Sequence, residues 1–242
     1  MKSTPVRTHL LPDLFASLAA SRWRLLRTLR SDNPADINGE LDGIATFTRL
    51  RSRRDAEDGL DMLYKEEGVM PSSIPGVSGL SWSKKYIWRL KVGGSGDTNA
   101  DSTRVSVWFV KARRASRQDA DGNAKAHDAE GKKQTEREWD EEEVDEADYL
   151  FHEFDFATGD DSSAIKLDGM IIEPPVPPPV TSLATELVYA RGSHLCVKDM
   201  YRSVYAFRIT EGTGEVMSWA SRHVVNGPKK NQDIINRYER GH

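Results

Sequence analysis

The side chains best suited to chemistry lie in the last third of the chain. His194-Leu195-Cys196 leads through Lys198, Asp199 and Met200 to Tyr201, with Ser203, Tyr205 and Phe207 beyond. A histidine, a carboxylate and a phenol on one wall can hold a polar ligand or move a proton. Asp199, Tyr201, Ser203, Tyr205 and Phe207 alternate onto one strand face, but His194 and Cys196 have the opposite parity. A bulge or bend near Val197 must intervene if both sets are to face one interior. The same groups would equally serve as a structural hydrogen-bond network at a β corner, satisfying one another.

Two arginines extend the set. Arg27 alternates with Trp23 and Leu25, and Arg49 with Ala45 and Phe47, which points both guanidiniums inward. Enclosed guanidiniums are costly without anionic partners. Glu66 and Asp199 would supply these internally, or an acidic ligand would. His152, inside Tyr149 to Phe156 (YLFHEFDF), completes a candidate ligand-binding set of Arg27, Arg49, Glu66, His152, His194, Asp199 and Tyr201. No metal is expected, because the six histidines show neither H-x-H nor H-E-x-x-H spacing. No cofactor is expected either. Gly93-Gly94-Ser95-Gly96 lacks the third glycine and following helix of a dinucleotide loop, and Asp119 to Asn123 has its glycine two positions too early for a calcium loop. No G-x-S-x-G elbow is present, and the single cysteine, Cys196, reads as a small strand residue.

The elements that position these groups are strands. Pro12 to Ala20 sets Leu14, Phe15 and Leu18 at helical spacing. The period then switches to two over Trp23 to Leu29, Ile44 to Leu50, Asp61 to Glu67, Ser81 to Leu90, Arg104 to Ala112, Tyr149 to Phe156, Leu183 to Ala190, His194 to Ile209, Val216 to Val225 and Ile234 to Arg240. Nearly every run is bounded by Gly, Pro, Asn, Asp or Ser. Asn38-Gly39 suits a type I′ turn between the first two strands, and Asn226-Gly227-Pro228 a turn before the last. The expected fold is all-β: an antiparallel up-and-down barrel of about eight to ten strands with a short N-terminal helix. It forms one domain over 10–242. Lys111 to Asp148 is rich in charge and poor in aliphatic residues, so it is expected to be a disordered insertion. Residues 157–193 are expected to form a long loop with a proline-rich stretch.

Net charge is −4 and the isoelectric point about 5.9, which gives no general attraction to nucleic acid or anionic membranes. No apolar run reaches the roughly 20 residues that span a bilayer. One cysteine leaves no internal disulfide, so the cytoplasm is the expected compartment. The Arg-rich first thirty residues, with Asp13 as their one acid, resemble a transit peptide and make the mitochondrion the alternative.

Trp23-x-x-x-Arg27, Gly43-x-Ala45-x-Phe47, Tyr64-x-Glu66-x-Gly68, Phe151-His152, His194-x-Cys196-x-x-Asp199-x-Tyr201, Gly227-Pro228-x-Lys230 and Tyr238-x-Arg240 together resemble the uncharacterised family called domain of unknown function 6314. That family in turn looks like the calycin group of small barrels, which includes lipocalins and fatty-acid-binding proteins. The resemblance implies a closed barrel with Trp23 packed on Arg240 at its closure. It brings no established activity. The leading expectation is a barrel that binds a small molecule, acidic or amphipathic. One alternative is an isomerase, cyclase or lyase with His194 as base, Asp199 orienting it and Tyr201 as donor. The other is a scaffold that recruits a protein partner through the acidic run Asp140 to Glu143 or through Pro174 to Pro179.

Overall fold

A computed structural model describes residues 11–50, 59–72, 76–91, 104–111, 145–156, 165–181 and 183–241. One helix, α1 (Leu11–Ala19), precedes twelve strands: β1 (Arg22–Ser31), β2 (Gly39–Arg49), β3 (Gly59–Val69), β4 (Ser81–Lys91), β5 (Arg104–Val110), β6 (Ala147–Phe156), β7 (Ile165–Leu167), β8 (Met170–Ile172), β9 (Thr185–Cys196), β10 (Asp199–Thr210), β11 (Val216–Asn226) and β12 (Asn231–Arg240). Ten of them close an antiparallel barrel in the order β1-β12-β11-β10-β9-β6-β5-β4-β3-β2, while β7 and β8 form a separate hairpin. Alternation explains the closure. Trp23, Leu25 and Arg27 are buried on β1 while Arg22 and Arg24 are exposed, and Met62, Tyr64 and Glu66 repeat the pattern on β3.

The helix closes one end of the barrel. Leu11, Leu14, Phe15 and Leu18 fall at i, i+3, i+4 and i+7 and are all buried. The Trp23 indole donates to the Leu18 carbonyl at 3.0 Å, and Ser17 Oγ accepts from the Val216 amide at 2.8 Å. Trp23 and Arg240 are register partners on the β1–β12 pair that shuts the barrel. Each also has partners of its own. Trp23 meets Trp219 edge-on at 6.4 Å, and Arg240 donates to Glu215 at 2.9 Å and to Ser17 at 3.4 Å, which ties the closing strand to α1.

Three turns differ from the sequence reading. The β1–β2 connection spans 32–38, not two residues: Asn38 uses its side chain to accept from the Ser31 amide, and Gly39 at φ +119° already begins β2. The bend expected at Val197 is a complete hairpin, which separates β9 from β10 with Val197 at φ +60°. The long loop of 157–193 ends earlier than expected, since β9 starts at Thr185, and it contains the β7–β8 hairpin with Asp168 (φ +44°) and Gly169 (φ +81°) at its turn. A positive-φ pair is the type I′ geometry that Asp-Gly favours.

Residues 173–180 then run over the outside of the barrel. Arg208 donates to the carbonyls of Pro178 (3.1 Å) and Pro177 (3.5 Å) and to Thr185 Oγ1 (3.2 Å), and Ser218 Oγ donates to Pro178. Pro175, Pro177 and Pro178 are buried, so this stretch is a strap held on the barrel, with Val176 and Pro179 exposed on its outer side. Ile165, Ile172 and Val204 form a small outer core beneath the hairpin. Most of 111–148, including the acidic run, lies outside the described residues. Its ends are paired, with the Lys111 amide donating to the Glu146 carbonyl at 2.9 Å, and Ala147 and Asp148 belong to β6. Among the described residues, no helix is long and apolar enough to cross a membrane.

Candidate functional site

The barrel is filled by side chains at the α1 end and hollow at the other. A cavity of about 330 Å³ opens there, between Arg27 and Leu29 of β1, Glu66 of β3, Lys84 and Tyr86 of β4, His152 of β6 and the turn residue Lys230. Small-molecule sites commonly begin near this size. Its deep wall is an ionic network. Arg27 reaches Glu66 Oε2 at 2.6 Å through Nη2 and Asn236 Oδ1 at 2.7 Å through Nε. Tyr64 donates to Glu66, and the hydroxyls of Tyr64 and Tyr238 lie 2.7 Å apart. From Asn236 a chain continues to Ser221 Oγ (2.9 Å), to His223 Nε2 (3.1 Å) and from His223 Nδ1 to Ser203 Oγ (2.8 Å). Burial opposes ionisation of Glu66, yet Arg27 and Tyr64 together hold its carboxyl below the usual range. This wall is internally satisfied and leaves little for a ligand to add.

Two other parts of the cavity are not satisfied. Lys84 lines the cavity with its side chain exposed to solvent and feels the charges of Arg27, Glu66 and Lys230, of which Glu66 is already spent on Arg27; among the described residues Lys84 has no ion pair or hydrogen bond. The protein wall beside it and then Arg27 push its amine down from the ordinary lysine value, although its side chain reaches solvent. On β6 and β9, His152 Nε2 pairs with Tyr205 OH at 2.7 Å, but His152 Nδ1 and both ring nitrogens of His194 are buried without a partner among the described residues. Each such nitrogen costs about 1–3 kcal/mol if left unpaired. Burial first, then His223 and His194, push His152 well below the ordinary histidine value, and burial with Arg27 pushes His223 down to about 4. All three imidazoles near the cavity are therefore neutral at pH 7.

Of the seven expected site residues, Arg27, Glu66, His152 and Tyr201 line the cavity. His194 stacks on Tyr201 at 4.8 Å and on His152 at 5.5 Å, so it borders the same space. The hairpin at Val197 explains its inward aim: His194 pairs directly with Tyr201, and directly opposed residues share a face. Two expectations are corrected. Arg49 is exposed at the end of β2 that adjoins α1, because parity sets the face of a residue and not its depth along the barrel axis. Asp199 pairs with Cys196 and accepts from the Lys229 amide at 3.3 Å, so it braces the β11–β12 turn and does not orient His194.

Lys84, Tyr86, His223, Lys230 and Asn236 escaped the sequence reading. For Lys84 the signal was present: in SWSKKYIWRL it shares parity with Trp82, Tyr86 and Trp88. Lys230 stood out only within Gly227-Pro228-x-Lys230, which gave no role to a turn lysine whose amine donates to Tyr201 OH at 2.9 Å over the mouth. Among the described residues no group of three or more His, Cys, Asp or Glu side chains is placed to hold a metal ion.

The family described as "Family of unknown function (DUF6314)" matches residues 19–166 and 178–240, which span every barrel strand. The chain belongs to this family. The unmatched residues between those spans, 167–177, are the last residue of β7, the β7–β8 turn, β8 and the first part of the outer strap. No curated protein and no solved structure matches the chain.

Proposed function

We propose that the barrel binds a small acidic molecule in this cavity. The observation that carries the reading is Lys84: a cation beside two other cations, with its one nearby carboxylate already committed, on the wall of an open space. Lys84 is exposed to solvent where it lines the cavity, so its charge is hydrated, and an anionic ligand would supply the partner that Glu66, already paired with Arg27, does not. Lys230 and Tyr201 at the mouth extend the same anion-accepting edge. Protein purified from its own host, denatured and profiled by mass spectrometry, is expected to release an acid in near-stoichiometric amount. Lys84→Met is expected to retain less than a tenth of it, the size of losing a charge-assisted hydrogen bond worth about 1.5–3 kcal/mol. Release of neutral molecules only, or unchanged occupancy in the variant, would overturn the reading.

A second reading, proton transfer on the bound acid as in an isomerase, cyclase or lyase, has one observation in its favour. His152 is a neutral buried imidazole held at Nε2 by Tyr205 with Nδ1 free, which is the arrangement of an oriented base. The base is then His152, where the sequence pointed to His194. A released acid that is a mixture of isomers, collapsing to one in His152→Gln, supports it.

A further inference from the structure

Resting on the acid-binding reading, the ligand class follows from the rest of the wall. Of the 22 side chains lining the cavity nine are Phe, Tyr or Trp and four are aliphatic, a wall made for rings and not for an acyl chain. The rings fall into two orientations. Tyr205, His152, His194 and Tyr201 form a ladder of near-parallel neighbours, with interplanar angles of 14°, 15° and 21° in turn. Tyr64, Tyr86 and Phe151 form a second ladder, at 22° and 20°. Phe151 meets His152 at 78° and His194 at 71°, so the two ladders stand nearly perpendicular. A flat ring between them gains face contact with one ladder and edge contact with the other, the two favoured aromatic geometries. The histidine ladder also carries the three unpartnered nitrogens, on strands two and three places along the wall from the strand of Lys84.

We propose that the ligand is a planar aromatic acid whose carboxylate or other anionic group meets Lys84 and whose distal edge bears a hydrogen-bonding group taken up by His152 and His194. β6 and β9 pair only at Asp155–Arg191 and Phe156–Ala190, and beyond that point Phe151 and His194 bridge the two strands by ring contact at 5.1 Å.

Isothermal titration of the full-length protein with 6-hydroxy-2-naphthoate, 2-naphthoate, 2-naphthol and decanoate separates the elements of the proposal. The hydroxynaphthoate is expected to bind at least tenfold tighter than decanoate and about fivefold tighter than 2-naphthoate. His194→Phe, which keeps the ring face and removes both nitrogens at a partly exposed position with no hydrogen bond to lose, is expected to erase the preference for the hydroxyl while leaving 2-naphthoate affinity within twofold; His152→Gln tests the hydroxyl preference alone from the buried position. Decanoate binding as tightly as the ring acids, in a Lys84-dependent manner, overturns the aromatic inference and leaves the acid-binding reading standing. 2-Naphthol binding as tightly as 2-naphthoate, or no binding by any acid, overturns the acid-binding reading itself. A hydroxyl preference unchanged in both histidine variants overturns the assignment of the distal edge.

Discussion

At the scale of single residues, the cavity separates charge that holds the fold from charge that awaits a partner. The Arg27–Glu66 bridge is buried on both sides, and Tyr64, Tyr238 and Asn236 complete its hydrogen bonds. Removing one partner of such a pair leaves the other as an unpaired buried charge. Glu66→Gln is therefore expected to lower the unfolding free energy by about 3–5 kcal/mol in urea titrations. Lys84→Met should do the reverse or nothing: removing an amine that already lacks a counter-ion is expected to leave stability unchanged or raise it by up to about 1 kcal/mol. A large loss of stability in Lys84→Met would show that the amine has a structural anion after all.

At the scale of elements, two connections carry identifiable strain and anchoring. Val197 sits at φ +60° and is 84% exposed, a β-branched residue in a region that suits Asn or Gly. Val197→Asn relieves the conflict at no packing cost and is expected to stabilise the protein by about 1 kcal/mol, read as a higher urea midpoint with the same slope. The outer strap depends on Arg208, whose guanidinium holds two proline carbonyls from beneath. Arg208→Ala is expected to raise amide exchange in residues 165–181 by tenfold or more, while exchange in β1, β11 and β12 stays within twofold. Equal exchange changes in strap and barrel would mean that the strap is part of the barrel's cooperative unit.

At the scale of the whole molecule, closure removes free sheet edges along most of the wall, and the histidines it encloses make stability depend on pH. His152, His194 and His223 are all pushed below the ordinary histidine value by burial first, so the folded protein binds fewer protons than the unfolded chain below about pH 6.5. Their contribution is complete above that pH and is lost as pH falls toward 4, the value for His223. Glu66, also pushed down, adds its loss only below the ordinary carboxylate range. Thermal melts are expected to show a falling midpoint from pH 6.5 to 4.5, and His223→Asn, which keeps hydrogen-bonding groups without the titration, should flatten that slope. A midpoint independent of pH over this window would contradict neutral enclosed imidazoles.

The strands were legible in the sequence because their cause is local. Period-two alternation fixes which side chains face inward, as at Trp23, Leu25 and Arg27. The helix at the closed end was legible for the same reason, from the spacing of Leu14, Phe15 and Leu18. A stronger turn signal than Asn38-Gly39 lay at Asp168-Gly169, between two three-residue apolar strands too short to register by periodicity. What only the tertiary structure decided is depth and partnership. Arg27 and Arg49 share an alternation argument, yet one ends in an ion pair inside the barrel and the other at an exposed strand end. His194 and Tyr201 looked mismatched in parity until the chain reversed at Val197 and set them side by side. Lys84 gains its meaning from Arg27, Glu66 and Lys230, which are distant in sequence. Alternation is a property of one strand, whereas a cavity is a property of ten strands closed on one another, and its electrostatics exist only once they meet.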